Sequence, residues 1–143
     1  MHGALKRNEF NEAVLKLKDA INIIPEVDFY VTLAELYKSQ KNEEALEKLK
    51  AEILTMLQDD SASGHNMDLE YAHVYNDLFD DTAKAIVYAK KEYQKRPLNI
   101  DVNRTLALLE LENNDKEKAI SYYKTASSTH SRHPELETIK TKI

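Results

Sequence analysis

The sequence predicts an all-α fold, a stack of antiparallel helical hairpins, and three observations lead there. The composition suits helices: 143 residues hold two glycines and three prolines, with 42% hydrophobic and 31% charged residues and a preponderance of Ala, Leu, Glu and Lys. Apolar residues recur at steps of three and four along most of the chain. Finally, one helix–turn–helix pattern returns: Ala13, Ala45, Ala85 and Ala119, each on a returning helix, stand 32, 40 and 34 residues apart. The length fits one domain able to bury a core.

Taken in order, Asn8 to Ile24 forms a helix with Phe10, Ala13, Leu17, Ala20 and Ile24 on one stripe, stopped by Pro25. Gly3, Ala4 and Leu5 before it amount to about one turn of what should be a full preceding helix. The chain therefore reads as cut from a longer array, which leaves Phe10, Val14 and Leu17 poorly covered. Such a patch favours self-association through the N-terminal helix. Asp28 to Gln40 follows, with Asp28 as N-cap and Tyr30, Leu33, Ala34 and Tyr37 apolar. Glu43 to Leu57 returns antiparallel, turning Ala45, Leu46, Leu49, Ile53, Met56 and Leu57 inward and Glu44 and Lys48 outward as a pair.

The stretch QDDSASGHN, with Gly64, interrupts the periodicity and predicts a loop. Helices resume at Met67 to Leu78 and Asp81 to Lys95, closed by Pro97. The next hairpin, from about Asn99 to Thr129, has the clearest pattern: Ala107, Ala119 and Ala126 let two backbones approach, while Leu106, Leu109, Ile120 and Tyr123 fill the space around them. Pro134 then opens a short capping helix with a Leu136, Ile139, Ile143 stripe.

First helices of the hairpins read Leu33-Ala34-Tyr37, Tyr71-Ala72-Tyr75 and Leu106-Ala107-Glu110. Second helices read Ala13-Leu17-Ala20-Pro25, Ala45-Leu49-Glu52, Ala85-Ala89-Glu92-Pro97 and Ala119-Tyr123-Ala126-Ser131. With a mean spacing near the family's period of about 34 residues, this resembles the tetratricopeptide repeat over nearly the whole chain. Departures are Tyr30 where the family often has Trp, alanine for the usual first-helix glycine, and Glu52 and Glu92 for a small residue. The resemblance implies a right-handed superhelical array: a partial repeat at 1–27, repeats at about 28–58, 66–97 and 98–131, and a capping helix at 134–143. Within the family, GHNMDLEYAHVY and AIVYAKKEYQKRPLNIDVNRTLALLE look like the C-terminal part of bacterial members of uncharacterised role. That likeness implies a bacterial source and supplies no catalytic residues.

Charge and composition narrow the function classes. The formal net charge of −5 comes from intermixed acids and bases, not the basic footprint of a nucleic-acid binder. No apolar run is long enough to span a bilayer. Localisation stays open between the cytoplasm and export through a segment preceding this chain. Without cysteine there is no disulfide or thiol chemistry.

Several constellations bear on chemistry. Asp59 to Glu70 spells a calcium-loop string, with Asp59, Ser61, Ser63, Gly64 and Glu70 in register. Two serines stand where carboxylates supply charge, and Asn66 replaces the apolar residue after the glycine, so a plain turn explains it better. His65, His73, His130 and His133 lack carboxylates at ligand spacing. Asp59-Asp60 and Asp80-Asp81 read as acids at helix N-termini, and the eight tyrosines as packing between helices. The expectation is therefore no catalytic residue, metal or cofactor.

What remains is the outward face of the first helices, which lines the concave groove that the resemblance implies. It is expected to bind a peptide or a partner helix through Glu35, Lys38, Leu69, His73, Asn76, Arg104, Leu108 and Leu111, beside Asp28, Val31, Asn66 and Asp101. Arg104 is the expected grip on a partner carboxylate, unless Asp101 occupies it. The alternative expectation is an accessory domain of a larger enzyme or secretion assembly.

Overall fold

The computed structural model describes residues 2–128 and 133–143, with side chains from residue 6 onward. Expectations that involve Thr129, His130 and Ser131 lie outside the described residues. Eight α-helices and no strands occur among the described residues: α1 (His2–Ile23), α2 (Val27–Ser39), α3 (Glu43–Ala62), α4 (Asp68–Asp77), α5 (Thr82–Lys95), α6 (Ile100–Glu112), α7 (Lys116–Ser127) and α8 (Pro134–Lys142). They group into two compact units, Met1–His65 and Asn66–Ile143.

In the first unit α2 packs on both α1 and α3. Its core holds Leu33, Ala34, Leu46, Leu49, Ile53 and Leu57, with Val14 buried from α1. In the second unit α4 pairs with α5, α5 with α6, and α6 with α7, while α8 lies against α6 and α7. One continuous cluster there joins Ala72, Ala85, Ile86, Ala89, Val102, Leu106 and Leu109, flanked by Tyr75, Tyr88, Tyr93 and Tyr122. Fully buried alanines at Ala72, Ala85, Ala89, Ala107, Ala119 and Ala126 mark the close helix contacts that the spacing required.

The turns within the hairpins share a backbone device. Lys41, Asp80 and Asn114 each adopt a left-handed conformation, with φ of 58°, 54° and 61°. Each is followed at once by the N-cap of the returning helix, where Asn42, Asp81 and Asp115 accept from the backbone N–H of Ala45, Lys84 and Lys118. The backbone N–H of those capping residues donates back to the carbonyls of Tyr37 (3.0 Å), Tyr75 (2.9 Å) and Glu110 (2.8 Å). At α2 and α6 this is the paired bonding of a Schellman closure, which satisfies carbonyls the helix would otherwise leave bare. The α4–α5 turn is one residue longer.

Four expectations about element boundaries need correction. α1 runs unbroken from His2 to Ile23, so Gly3, Ala4 and Leu5 continue this helix and are no remnant of another. Val14 is covered at 8% exposure and Phe10 meets Tyr37 edge-on at 6.3 Å, so the stripe facing α2 is not open as expected. α2 is preceded by Glu26 as N-cap, without a side-chain bond, and Asp28 sits in its first turn. The fourth correction concerns α3, which continues through Ala62. Four residues of the expected QDDSASGHN loop beyond Gln58 are thus helical, because Ser and Asp alone do not end a helix that its neighbours pack. Gly64, at φ 96°, ends it: its N–H donates to Ser61 and that of His65 to Asp60. The calcium-loop string therefore has helical backbone over residues 59–62 and does not wrap an ion. Asp59 and Asp60 lie near the C-terminus of α3, not at an N-terminus.

Candidate functional site

The expected groove residues fall on three helices. Glu35 and Lys38 belong to α2 in the first unit, where Glu35 is exposed, Lys38 half-buried and both engaged with neighbours. Leu69, His73 and Asn76 share one face of α4; Arg104, Leu108 and Leu111 share one face of α6. All six are half-buried. In the second unit, then, two successive first helices carry leucines beside polar groups on faces the core does not consume. Leu111 also lines an open cleft of about 270 Å³ with Asn114, Lys116 and Lys142.

Two polar members have structural employment. The Asn76 side-chain carbonyl accepts from the Thr82 hydroxyl at 2.9 Å, tying α4 to the start of α5. Arg104, only 12% exposed, donates from Nη1 to Asp101 Oδ1 at 2.7 Å and from Nε to Glu135 Oε1 at 3.0 Å. Its guanidinium is thus engaged by two carboxylates of this chain, one of them on α8. The expected grip on a partner gives way to an internal one. Glu135 lies 31 residues further on, a neighbour that helical spacing cannot reveal.

A polar cluster that sequence reasoning missed stands at the other end of the α4–α5 hairpin. Glu92 is 2% exposed and accepts from Arg96 Nε at 2.6 Å and from the Asn66 side-chain amide. Asn66 in turn accepts from the backbone N–H of Asp68, and Lys95 reaches Asp68 at 3.3 Å. Burial pushes the Glu92 carboxyl up, but the hydrogen bonds from Arg96 and Asn66 and the positive charges of Arg96 and Lys95 outweigh it. The group is held below its ordinary value. The hint in the sequence is an acid where the expected repeat pattern has a small residue; Glu52, at the matching position of that pattern, is exposed.

α6 buries three further polar side chains, Asn103, Thr105 and Glu110, each at 2% exposure or less. The Asn103 amide donates to the Pro97 and Asn99 carbonyls at 2.9 and 2.8 Å, closing the α5–α6 turn. Thr105 Oγ1 and Glu110 Oε2 have no hydrogen-bond partner. Near Glu110, Tyr93 and Tyr122 meet edge-on at 5.4 Å. The Tyr122 hydroxyl is pushed up by burial first, then by Tyr93 and Glu110.

Tyrosines also pack between α4 and α5. Tyr88 stacks on Tyr71 at 4.8 Å and on Tyr75 at 5.5 Å, and the Lys84 and Lys91 ammonium groups lie over the Tyr75 and Tyr88 rings. In the first unit a cleft of about 500 Å³ opens where α2 begins and α3 ends, lined by Pro25, Glu26, Val27, Asp28, Met56, Asp59 and Asp60. Among the described residues no group of three or more His, Asp or Glu is placed to hold a metal ion. No helix of the described residues is long and apolar enough to cross a membrane. In comparison with known proteins, the chain matches no protein-family model, and no curated protein matches it significantly.

Proposed function

We propose that this chain is a protein-interaction module of the tetratricopeptide type, holding a peptide or partner helix against the outward face of its first helices without catalysing a reaction. The observation that carries this reading is the pair of half-buried leucine faces in the second unit, Leu69 beside His73 on α4 and Leu108 with Leu111 on α6. Leucines kept half-exposed supply affinity when a partner covers them, and adjacent polar groups supply orientation. The recurring hairpin turn supports a repeat architecture, in which successive hairpins present equivalent faces side by side. Arg104 and Asn76 contribute by stiffening this surface.

The test begins with co-purification of a partner from the source organism and measurement of its affinity by titration calorimetry. Leu108→Asp and His73→Ala should each weaken binding at least tenfold while leaving the melting temperature within a few degrees of the parent. Lys48→Ala and Lys124→Ala, on exposed outer positions, should bind like the parent. Parental affinity in both face variants removes this surface as the site.

A further inference from the structure

α8 is nine residues long, shorter than a helix that holds its shape alone in water, so its packing makes it helical. That packing is economical. His133 caps it by accepting the Glu135 N–H at 3.1 Å, Pro134 starts it, and only Leu136 and Ile139 are buried, at 4% and 0% exposure. Glu137, Thr138, Lys140, Thr141 and Lys142 face solvent. Among the ion pairs between helices, the one between Glu135 and Arg104 joins α8 to α6. Arg104 itself is largely desolvated and fixed from behind by Asp101, so its remaining N–H edge is a preorganised receptor for a carboxylate. Under α8, the α6–α7 surface therefore reads a short pattern: an acid, leucine directly after it, and isoleucine three residues later.

We propose that this surface is an exchangeable helix-docking site, at which α8 competes with a partner helix carrying the same Glu-Leu-x-x-Ile pattern. The partner would bring its carboxylate to Arg104 and its two aliphatic side chains into the places of Leu136 and Ile139. This site adjoins the α6 leucine face, because Arg104 shares that face with Leu108 and Leu111 and Lys142 of α8 shares a cleft with Leu111; it is probed with a different ligand, the α8 peptide itself.

The experiment uses the whole chain and a fluorescent peptide of residues 133–143, followed by anisotropy. In the parent, α8 is already seated and competes at high local concentration, so the peptide should bind weakly. In Leu136→Asp, whose own α8 cannot seat, the peptide should bind at least tenfold more tightly. Adding Arg104→Ala to that variant should remove at least tenfold of the gain, and a peptide with Glu135→Lys should regain it on an Arg104→Glu, Leu136→Asp chain. Should Leu136→Asp lose its helical circular dichroism, Glu135→Lys in the chain, which sets a lysine beside Arg104 and leaves the apolar contacts, carries the same comparison. Equal binding to the parent and the unseated variant, binding indifferent to Arg104, or no binding to a folded unseated variant each overturns the proposal.

Discussion

Replacing Glu92 by glutamine tests how the α4–α5 hairpin is closed. The carboxylate accepts from two donors, Arg96 Nε and the Asn66 amide. A glutamine in the same volume offers one acceptor and turns an NH₂ group toward the other donor. One charge-assisted hydrogen bond is thus lost outright, an interaction of about 1.5–3 kcal/mol. Arg96 is 53% exposed and recovers hydration when released, which sets the expected loss toward the lower half of that range, about 2 kcal/mol at pH 7. Urea denaturation followed by circular dichroism at 222 nm measures it. Glu52→Gln, the exposed acid at the matching position of α3, should stay within about 0.5 kcal/mol of the parent. The pH dependence has a definite sign. Because the folded Glu92 carboxyl lies below its ordinary value of 4.5, its contribution is present above that value and is lost as pH falls through the folded one. The gap between parent and Glu92→Gln should therefore be full at pH 7 and narrow below about pH 4.5. A gap of the same size at pH 3 and pH 7, or none at pH 7, refutes the clamp.

Two further outcomes are expected. Ala107 is fully buried where α6 meets its neighbours, so Ala107→Leu should cost about 1–3 kcal/mol by overpacking, whereas Lys116→Ala on the exposed start of α7 should be nearly silent in the same denaturation assay. Glu110→Met removes a buried oxygen without a partner in nearly constant volume and should stabilise the chain by about 1 kcal/mol or more; it should also lower the ionisation midpoint of Tyr122, read from phenolate absorbance, because Glu110 helps to raise it.

Much of the helical layout could be read in the sequence because its signals are local. Asp81, Asn99 and Pro134 open α5, α6 and α8 as their side-chain chemistry requires; of the four alanines that set the period, Ala85 and Ala119 are fully buried and Ala13 and Ala45 half-buried. Failures came where local signals compete with packing. Asp59, Asp60 and Ser61 have turn-like chemistry, yet Ile53 and Leu57 anchor α3 firmly enough for the helix to run on to Gly64. The candidate site divides in the same way. Leu69 on α4 and Leu108 and Leu111 on α6 are half-buried. Asp101 and Arg96 stand three and four residues from Arg104 and Glu92, within reach of helical spacing, but the further partners of Arg104, Asn76 and Glu92 lie 31, 6 and 26 residues away, beyond any period along one helix.

Tyr37, Tyr75 and Glu110 show why the fold is more legible than the function. All three offer the carbonyl that accepts the capping N–H of the next helix, so their backbone duty is the same. Their side chains differ completely: Tyr37 meets Phe10 edge-on, Tyr75 stacks on Tyr88, and Glu110 lies buried with an unpartnered oxygen. The hairpin thus rests on a turn that constrains backbone and caps while leaving each first helix free to vary its side chains. Substitution on those helices can change the surface they present without disturbing how the chain folds, up to the point where a surface residue also holds two helices together. Arg104 has reached that point. A change there acts on α8 before it acts on any partner, and this separates it from His73 and Leu108 as a probe of recognition.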